Sequence, residues 1–162
     1  MSVNSPIFII DSMLGNLARK LRLLGYDSTY FPSIDDKKLI NIAKNQRRVL
    51  VTKDQQLINT AKKQDIDVVC IQGDNEIEQI AQINSIIKLN KIEITTSNSR
   101  CGFCNNMLES IEKYRVTGKI PDGVLERFEE FWICKRCNKI YWEGSHFEKL
   151  QKFVTQLNDR LK

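Results

Sequence analysis

The chain has 162 residues, 41% of them hydrophobic, and 25 Lys and Arg stand against 20 Asp and Glu for a formal charge of +5. This supports a packed core and argues against global disorder. No apolar run approaches the ~20 residues of a membrane span. Residues 1–6 lack a basic segment leading into an apolar one, so a cytoplasmic protein is expected. The basic excess is mild, a weak pointer to nucleic acid, and a zinc ion held by four thiolates would reduce it to about +3.

In chain order, the first element is Ile7-Phe8-Ile9-Ile10-Asp11, a short apolar run that predicts a strand buried on both faces with Asp11 at its carboxyl edge. Leu14, Leu17, Ala18, Leu21 and Leu24 then mark one face of a helix over 13–24, with Arg19, Lys20 and Arg22 off that stripe and Gly25 as its stop. Residues 27–31 suit a second strand. A helix follows, carrying Leu39, Ile40 and Ala43, with Ser33 or Asp35 as its cap and Arg47-Arg48 at its end. Val49-Leu50-Val51-Thr52-Lys53-Asp54 repeats the opening design, strand then aspartate. A helix over 54–63, a strand over 68–71 and a helix over 76–89 complete an alternation that predicts a three-layer α/β domain with a parallel sheet. No GxGxxG or GxxxxGK[ST] loop is present, which argues against dinucleotide and P-loop sites. The lone Cys70 reads as a buried core residue.

From residue 90 the texture becomes polar, like a linker or irregular edge strand. The expected domains are therefore 1–89 and 90–162. Cys101-Gly102-Phe103-Cys104 and, after 29 intervening residues, Cys134-Lys135-Arg136-Cys137 form two knuckles. In a reducing compartment this spacing predicts one tetrahedral zinc site of four cysteines and a zinc ribbon. Ser145 and Glu148 have capping-box spacing ahead of a final amphipathic helix, expected to pack on the first domain or on the ribbon.

Asp11 and Asp54 follow strands, as does Asp74, and Asp35 and Asp36 open a helix. Parallel strands would bring these acids to one sheet edge, where ligands bind. Carboxylates clustered there suit Mg²⁺ or Mn²⁺ and metal-assisted phosphodiester hydrolysis. Each acid is open to a plainer reading as a helix cap or first-turn acid. Arg19, Lys20 and Arg22 are candidate phosphate contacts, or a solvated helix face. Lys135, Arg136 and Lys139 beside Tyr141 and Trp142 combine charge with stacking surface, unless the aromatics pack the ribbon onto the main domain. His146, the one histidine, is a candidate phosphate or proton-transfer group, or an exposed residue near a helix start.

Several stretches together resemble the Mut7-C RNase domain family, a PIN-like nuclease fold fused to a zinc ribbon. They are the stretch from Phe8 through Asp11-Ser12-Met13-Leu14-Gly15-Asn16 to Leu24-Gly25-Tyr26-Asp27, then Arg48 through Asp54, Arg100-Cys101-Gly102-Phe103-Cys104-Asn105, Cys134-Lys135-Arg136-Cys137, and Ile140-Tyr141-Trp142-Glu143-Gly144-Ser145-His146. The resemblance covers nearly the whole chain. It implies a PIN-like α/β/α sandwich and a Mg²⁺- or Mn²⁺-dependent ribonuclease, with the acidic site on Asp11, Asp36 and Asp54 and with structural zinc on Cys101, Cys104, Cys134 and Cys137. The expected activity is endonucleolytic cleavage of single-stranded or structured RNA, with rRNA or the ribosome as further partners. The alternative is a non-catalytic RNA- or ribosome-binding protein that keeps the fold. A lesser one is a nuclease toxin.

Overall fold

The computed structural model describes residues 4–90 and 92–162. Four short strands, β1 (Phe8–Ile10), β2 (Ser28–Tyr30), β3 (Val49–Thr52) and β4 (Val68–Cys70), form a parallel sheet in the order β2-β1-β3-β4. Side chains alternate across a strand, so β1 feeds two cores. Phe8 and Ile10 face one layer, with α1 (Gly15–Leu23), α4 (Glu76–Ile86) and α7 (Ser145–Leu161). Ile9 faces the other, with α2 (Asp36–Gln46) and α3 (Gln55–Lys63). The result is the expected α/β/α sandwich.

The first helix is preceded by a 3₁₀ turn, Ser12–Leu14, capped by the Asp11 carboxylate. It ends as Gly25 predicts: Gly25 has φ 97°, its N–H donates to Arg22 O and that of Tyr26 to Leu21 O, a Schellman stop. Arg47 stops α2 in the same way with φ 53°. Of the two candidate caps of α2, Asp35 does the work, accepting from Lys38 N–H at 2.9 Å.

The final helix belongs to the first core. Leu150, Val154 and Leu157 are buried against α1 and α4 residues, and burial of three such side chains stabilises the packing by roughly 5–9 kcal/mol. Arg160 of α7 pairs through two nitrogens with Glu78 of α4. The expected Ser145–Glu148 capping box does not form. Gly144 takes the N-cap position and accepts Glu148 N–H with its carbonyl. The chain passes so close to Trp142 that a Cβ on residue 144 would lie 2.8 Å from the indole Nε1. Any side chain there would have to push the Trp142 indole aside, and Ser145 lies in the first turn.

The polar stretch after residue 90 is not a free linker. Ile94, Thr96 and Ser99 are buried, Ser99 Oγ donates to Leu23 O, and Gln151 Nε2 to Ile94 O at 2.6 Å. It leads into a small antiparallel sheet, β5 (Glu109–Ile111), β6 (Phe131–Ile133) and β7 (Ile140–Tyr141). Two short helices, α5 (Lys113–Val116) and α6 (Asp122–Arg127), lie between β5 and β6. Cys70 is half-buried rather than buried, because it ends the outer strand β4. No helix among the described residues is long and apolar enough to cross a membrane.

Candidate active site and metal centre

The four knuckle cysteines converge. Their Sγ atoms all lie within 4.8 Å of one another, and Cys101 and Cys137 Sγ are 3.7 Å apart. Thiolates on one tetrahedral zinc at 2.3 Å sit about 3.8 Å from each other, so the quartet fits zinc. Each knuckle closes the same way. Asn105 N–H donates to Cys101 O and Asn138 N–H to Cys134 O, with both asparagines at φ 65°. Asparagine tolerates that left-handed conformation better than most residues. The repeated Cys-x-x-Cys-Asn was a signal in the sequence that spacing alone passed over.

The Tyr141 hydroxyl lies 3.0 Å from Cys101 Sγ, the outer-shell partner that steadies a metal ligand. Burial, and then this neighbour, pushes the Tyr141 phenol well above its ordinary value. Burial also pushes the Cys104, Cys134 and Cys137 thiols up. At Cys101 burial acts in the same sense, but hydrogen bonds from Tyr141 and from the Cys104 and Phe103 amides outweigh it and hold the thiol below its ordinary value. Bound metal overrides these shifts, since a coordinating thiol is deprotonated outright.

Arg22, expected among the RNA contacts, has a different task. It is 6% exposed. Its Nε donates to Ser28 O at 2.8 Å, and its Nη1 to Gly102 O at 2.9 Å and Phe103 O at 3.2 Å. A guanidinium this buried, with three of its N–H groups committed to carbonyls, is a structural tie rather than a surface cation. It bolts the first knuckle to the edge strand β2. Burial lowers its pKa from the ordinary value. Asn105 adds a second bolt, accepting from Ser28 N–H at 3.0 Å and donating to Asp27 Oδ1 at 2.6 Å. Arg19, Lys139 and His146 line one cavity with Trp142. Lys20 stands over the Phe153 ring. Lys135 pairs with Glu109 at 2.6 Å, and Arg136 is exposed.

At the sheet's carboxyl edge, Asp11 follows β1 and Asp54 follows β3. The strand order reverses between these neighbours: β2 lies on one side of β1, and β3 with β4 on the other. Such switch points are where open α/β sheets bind ligands. Asp11 is buried. Its Oδ1 accepts from Ser12 N–H at 2.8 Å and its Oδ2 from Thr52 Oγ1 at 2.7 Å. Thr52 Oγ1 in turn accepts Asp54 N–H at 3.0 Å. One buried hydroxyl therefore ties the two aspartate positions together. Asp54 Oδ1 caps α3, accepting from Gln56 and Leu57 N–H. Each Asp11 oxygen keeps a lone pair beyond the bond it accepts, and the Asp54 cap uses only Oδ1, so both can still ligate a hard cation.

The adjoining cleft is lined by Ser12, Asn16, Tyr30, Lys53, Asp74 and Glu76, among others. Asp74 is thus a cleft acid and not the cap of α4, a task Asn75 performs by accepting Glu78 N–H. Asp36 is the exposed first residue of α2, on the same edge by topology; like Asp11 and Asp54, whose neighbours Ser12 and Lys53 line the cleft, it is not itself a lining residue. Among the described residues, the cysteine quartet is the one group of three or more such side chains whose ligand atoms lie within 4.8 Å of one another. The acids do not form a second.

Residues 6–154 match the model of the Mut7-C RNAse domain family. The match spans nearly the whole chain, and the chain belongs to that family. No curated protein and no solved structure matches. Membership supports nuclease activity in general, with RNA as the substrate.

Proposed function

We propose that this chain is a divalent-metal-dependent ribonuclease, endonucleolytic in mode, whose centre lies at the carboxyl edge of β1 and β3. The observation that carries the reading is the buried Asp11 carboxylate at the switch point, joined through Thr52 to Asp54. Asp11 and Asp54 would hold Mg²⁺ or Mn²⁺, with Asp36 at the start of α2 on the same sheet edge and Asp74 and Glu76 lining the cleft beside them. A bound divalent ion supplies charge neutralisation at the phosphate and a lowered pKa for attacking water. The protein's own residues set the geometry. Thr52 and the Ser12 amide fix the Asp11 carboxylate, and Lys53 gives the cleft a cation for the phosphate. The ribbon, with its structural zinc, and the basic residues Arg19, Lys20, Lys135, Arg136, Lys139 and His146 would hold the strand in a cytoplasmic RNA or rRNA substrate.

The test is cleavage of unstructured RNA by the pure protein with Mg²⁺ or Mn²⁺. Asp11→Asn should lower the rate by more than about 100-fold, beyond the usual cost of losing an outer-shell partner, and Asp54→Asn should also lower it. If both variants cleave as well as the parent, the assigned centre is wrong. The capping bonds of Asp11 and Asp54 favour a second reading, RNA or ribosome binding without cleavage. That reading predicts salt-dependent RNA binding that survives both changes, with no cleavage under any divalent ion.

A further inference from the structure

A cavity of about 250 Å³ opens between the ribbon, the second half of α1 and the start of α7. Trp142, Tyr141 and Phe147 line it together with Arg19, Lys139 and His146, and no Asp or Glu does. Phe103 shares it, on the turn between Cys101 and Cys104, and is 60% exposed. Lys139 Nζ lies 4.0 Å from its ring centroid and the Arg19 guanidinium 5.3 Å. A large apolar ring left in water within reach of two cations from separate parts of the fold is not explained by packing. An aromatic face beside positive charge is the platform on which nucleic acid bases stack. The volume falls below the roughly 300–1,000 Å³ of sites that enclose a whole small molecule, and it suits one planar base.

The cavity also has a direction. Asn16 lines the carboxyl-edge cleft, while Arg19 and Leu23 line this cavity. Spaced by three and then four residues, all three share one side of α1, and the helix carries them only about 10 Å along its axis. A strand anchored at the ribbon would reach the cleft within a few nucleotides.

We infer that this cavity holds one unpaired base of a single-stranded RNA whose scissile phosphate lies in the cleft at the other end of α1. Phe103 stacks the base, and Arg19 and Lys139 neutralise the phosphates beside it. The inference rests on the ribonuclease reading of the cleft. A duplex is excluded, since its base faces are already stacked.

The experiment uses the full chain carrying Asp11→Asn, a fluorescein-labelled unstructured 12-nucleotide RNA, and anisotropy to follow binding. Phe103→Leu keeps an apolar residue but removes the π face, and should weaken binding by roughly 5- to 150-fold, the worth of one base–aromatic stack. Phe103→Trp should bind like the parent, and duplex RNA of equal length should bind no better than single strands bind Phe103→Leu. Zinc content is measured for every variant. Phe103→Leu binding equal to the parent with zinc intact would overturn the inference. Should Phe103→Leu lose zinc, tryptophan emission of the parent decides, because Trp142 lies in the cavity wall: quenching on RNA titration supports the inference and unchanged emission at saturation overturns it. Concentration-dependent self-association that RNA does not reverse would also overturn it, with a second copy covering Phe103. Failure here leaves the cleavage assay untouched. Phe103-dependent binding by a protein that never cleaves would sink the ribonuclease reading alone.

Discussion

The two zinc knuckles are near copies in sequence and opposites in setting. Each runs Cys-x-x-Cys-Asn, and each closes on an asparagine at φ 65°. The first is built into the α/β body. Cys101 is no more buried than Cys134 of the second, but Arg22 holds the Gly102 and Phe103 carbonyls, and Asn105 grips β2. The second presents Lys135, Arg136, Cys137 and Asn138 to solvent. A zinc ion needs both equally, so metal binding gives no reason for the difference. Attachment does: the first knuckle fixes the ribbon to the α/β body through its backbone carbonyls while its Phe103 ring stays exposed, and the second stands out in solvent.

Metal removal should produce the largest effect and treat the knuckles alike. Structural zinc binding is worth an apparent 10–16 kcal/mol in small peptides near neutral pH, more than the packing of this ribbon can replace. One zinc per chain is expected by mass spectrometry. Cys101→Ser and Cys137→Ser should each abolish it and expose amides of residues 100–142 to hydrogen exchange. The sheet β1–β4 should keep its protection, because α7 is docked on α4 independently. Full zinc occupancy in Cys137→Ser would break the equivalence of the knuckles.

Arg22 separates them. Arg22→Ala strands three carbonyls at a buried junction and should cost about 2–4 kcal/mol in denaturant unfolding. Arg136→Ala, on the exposed knuckle, should stay within about 0.5 kcal/mol. Equal costs would mean that the first knuckle is not the anchored one.

Arg22 also shows where sequence reasoning stops. The strands, the helices and the cysteine ligands are legible because each leaves a local pattern: apolar runs, 3.6-residue periodicity, thiolate spacing. Arg22 is legible only as a cation off the apolar stripe of α1, the same description that fits Arg19. What distinguishes the two is a knuckle about 80 residues away that folds onto one and not the other. The Ser145–Glu148 pattern misled for a related reason: the helix is capped one residue earlier, at a Gly144 packed close against Trp142, which the spacing of Ser and Glu does not reveal. Asp11 and Asp54 were legible as strand-end acids. Their link through Thr52 was not, because nothing in the order of residues puts a threonine hydroxyl between the Asp11 carboxylate and the Asp54 amide, 43 positions apart.

The smallest effect sharpens the same contrast by pH. Asp27 sits where the first knuckle meets the sheet. It accepts from Arg48 Nη1 at 2.8 Å and Nη2 at 3.2 Å, and from Asn105 Nδ2. Burial acts to raise its carboxyl, but the hydrogen bonds from Arg48 and Asn105 and the Arg48 charge outweigh that and hold it below its ordinary 3.8. A carboxyl depressed in the folded state gives stability that is complete above the unfolded value and is lost as pH falls through the folded one. Asp27→Asn should therefore cost about 1–2 kcal/mol at neutral pH, and the gap to the parent should close in acid below that ordinary value of 3.8. Denaturant midpoints measured from pH 7 downward read this directly. At the second knuckle the carboxylate paired among the described residues is Glu109, on exposed Lys135, and an exposed pair contributes little. Asn138→Ala should therefore shift the midpoint by the same amount at every pH. A pH-independent gap for Asp27→Asn would show that the anchor of the first knuckle is packing rather than charge.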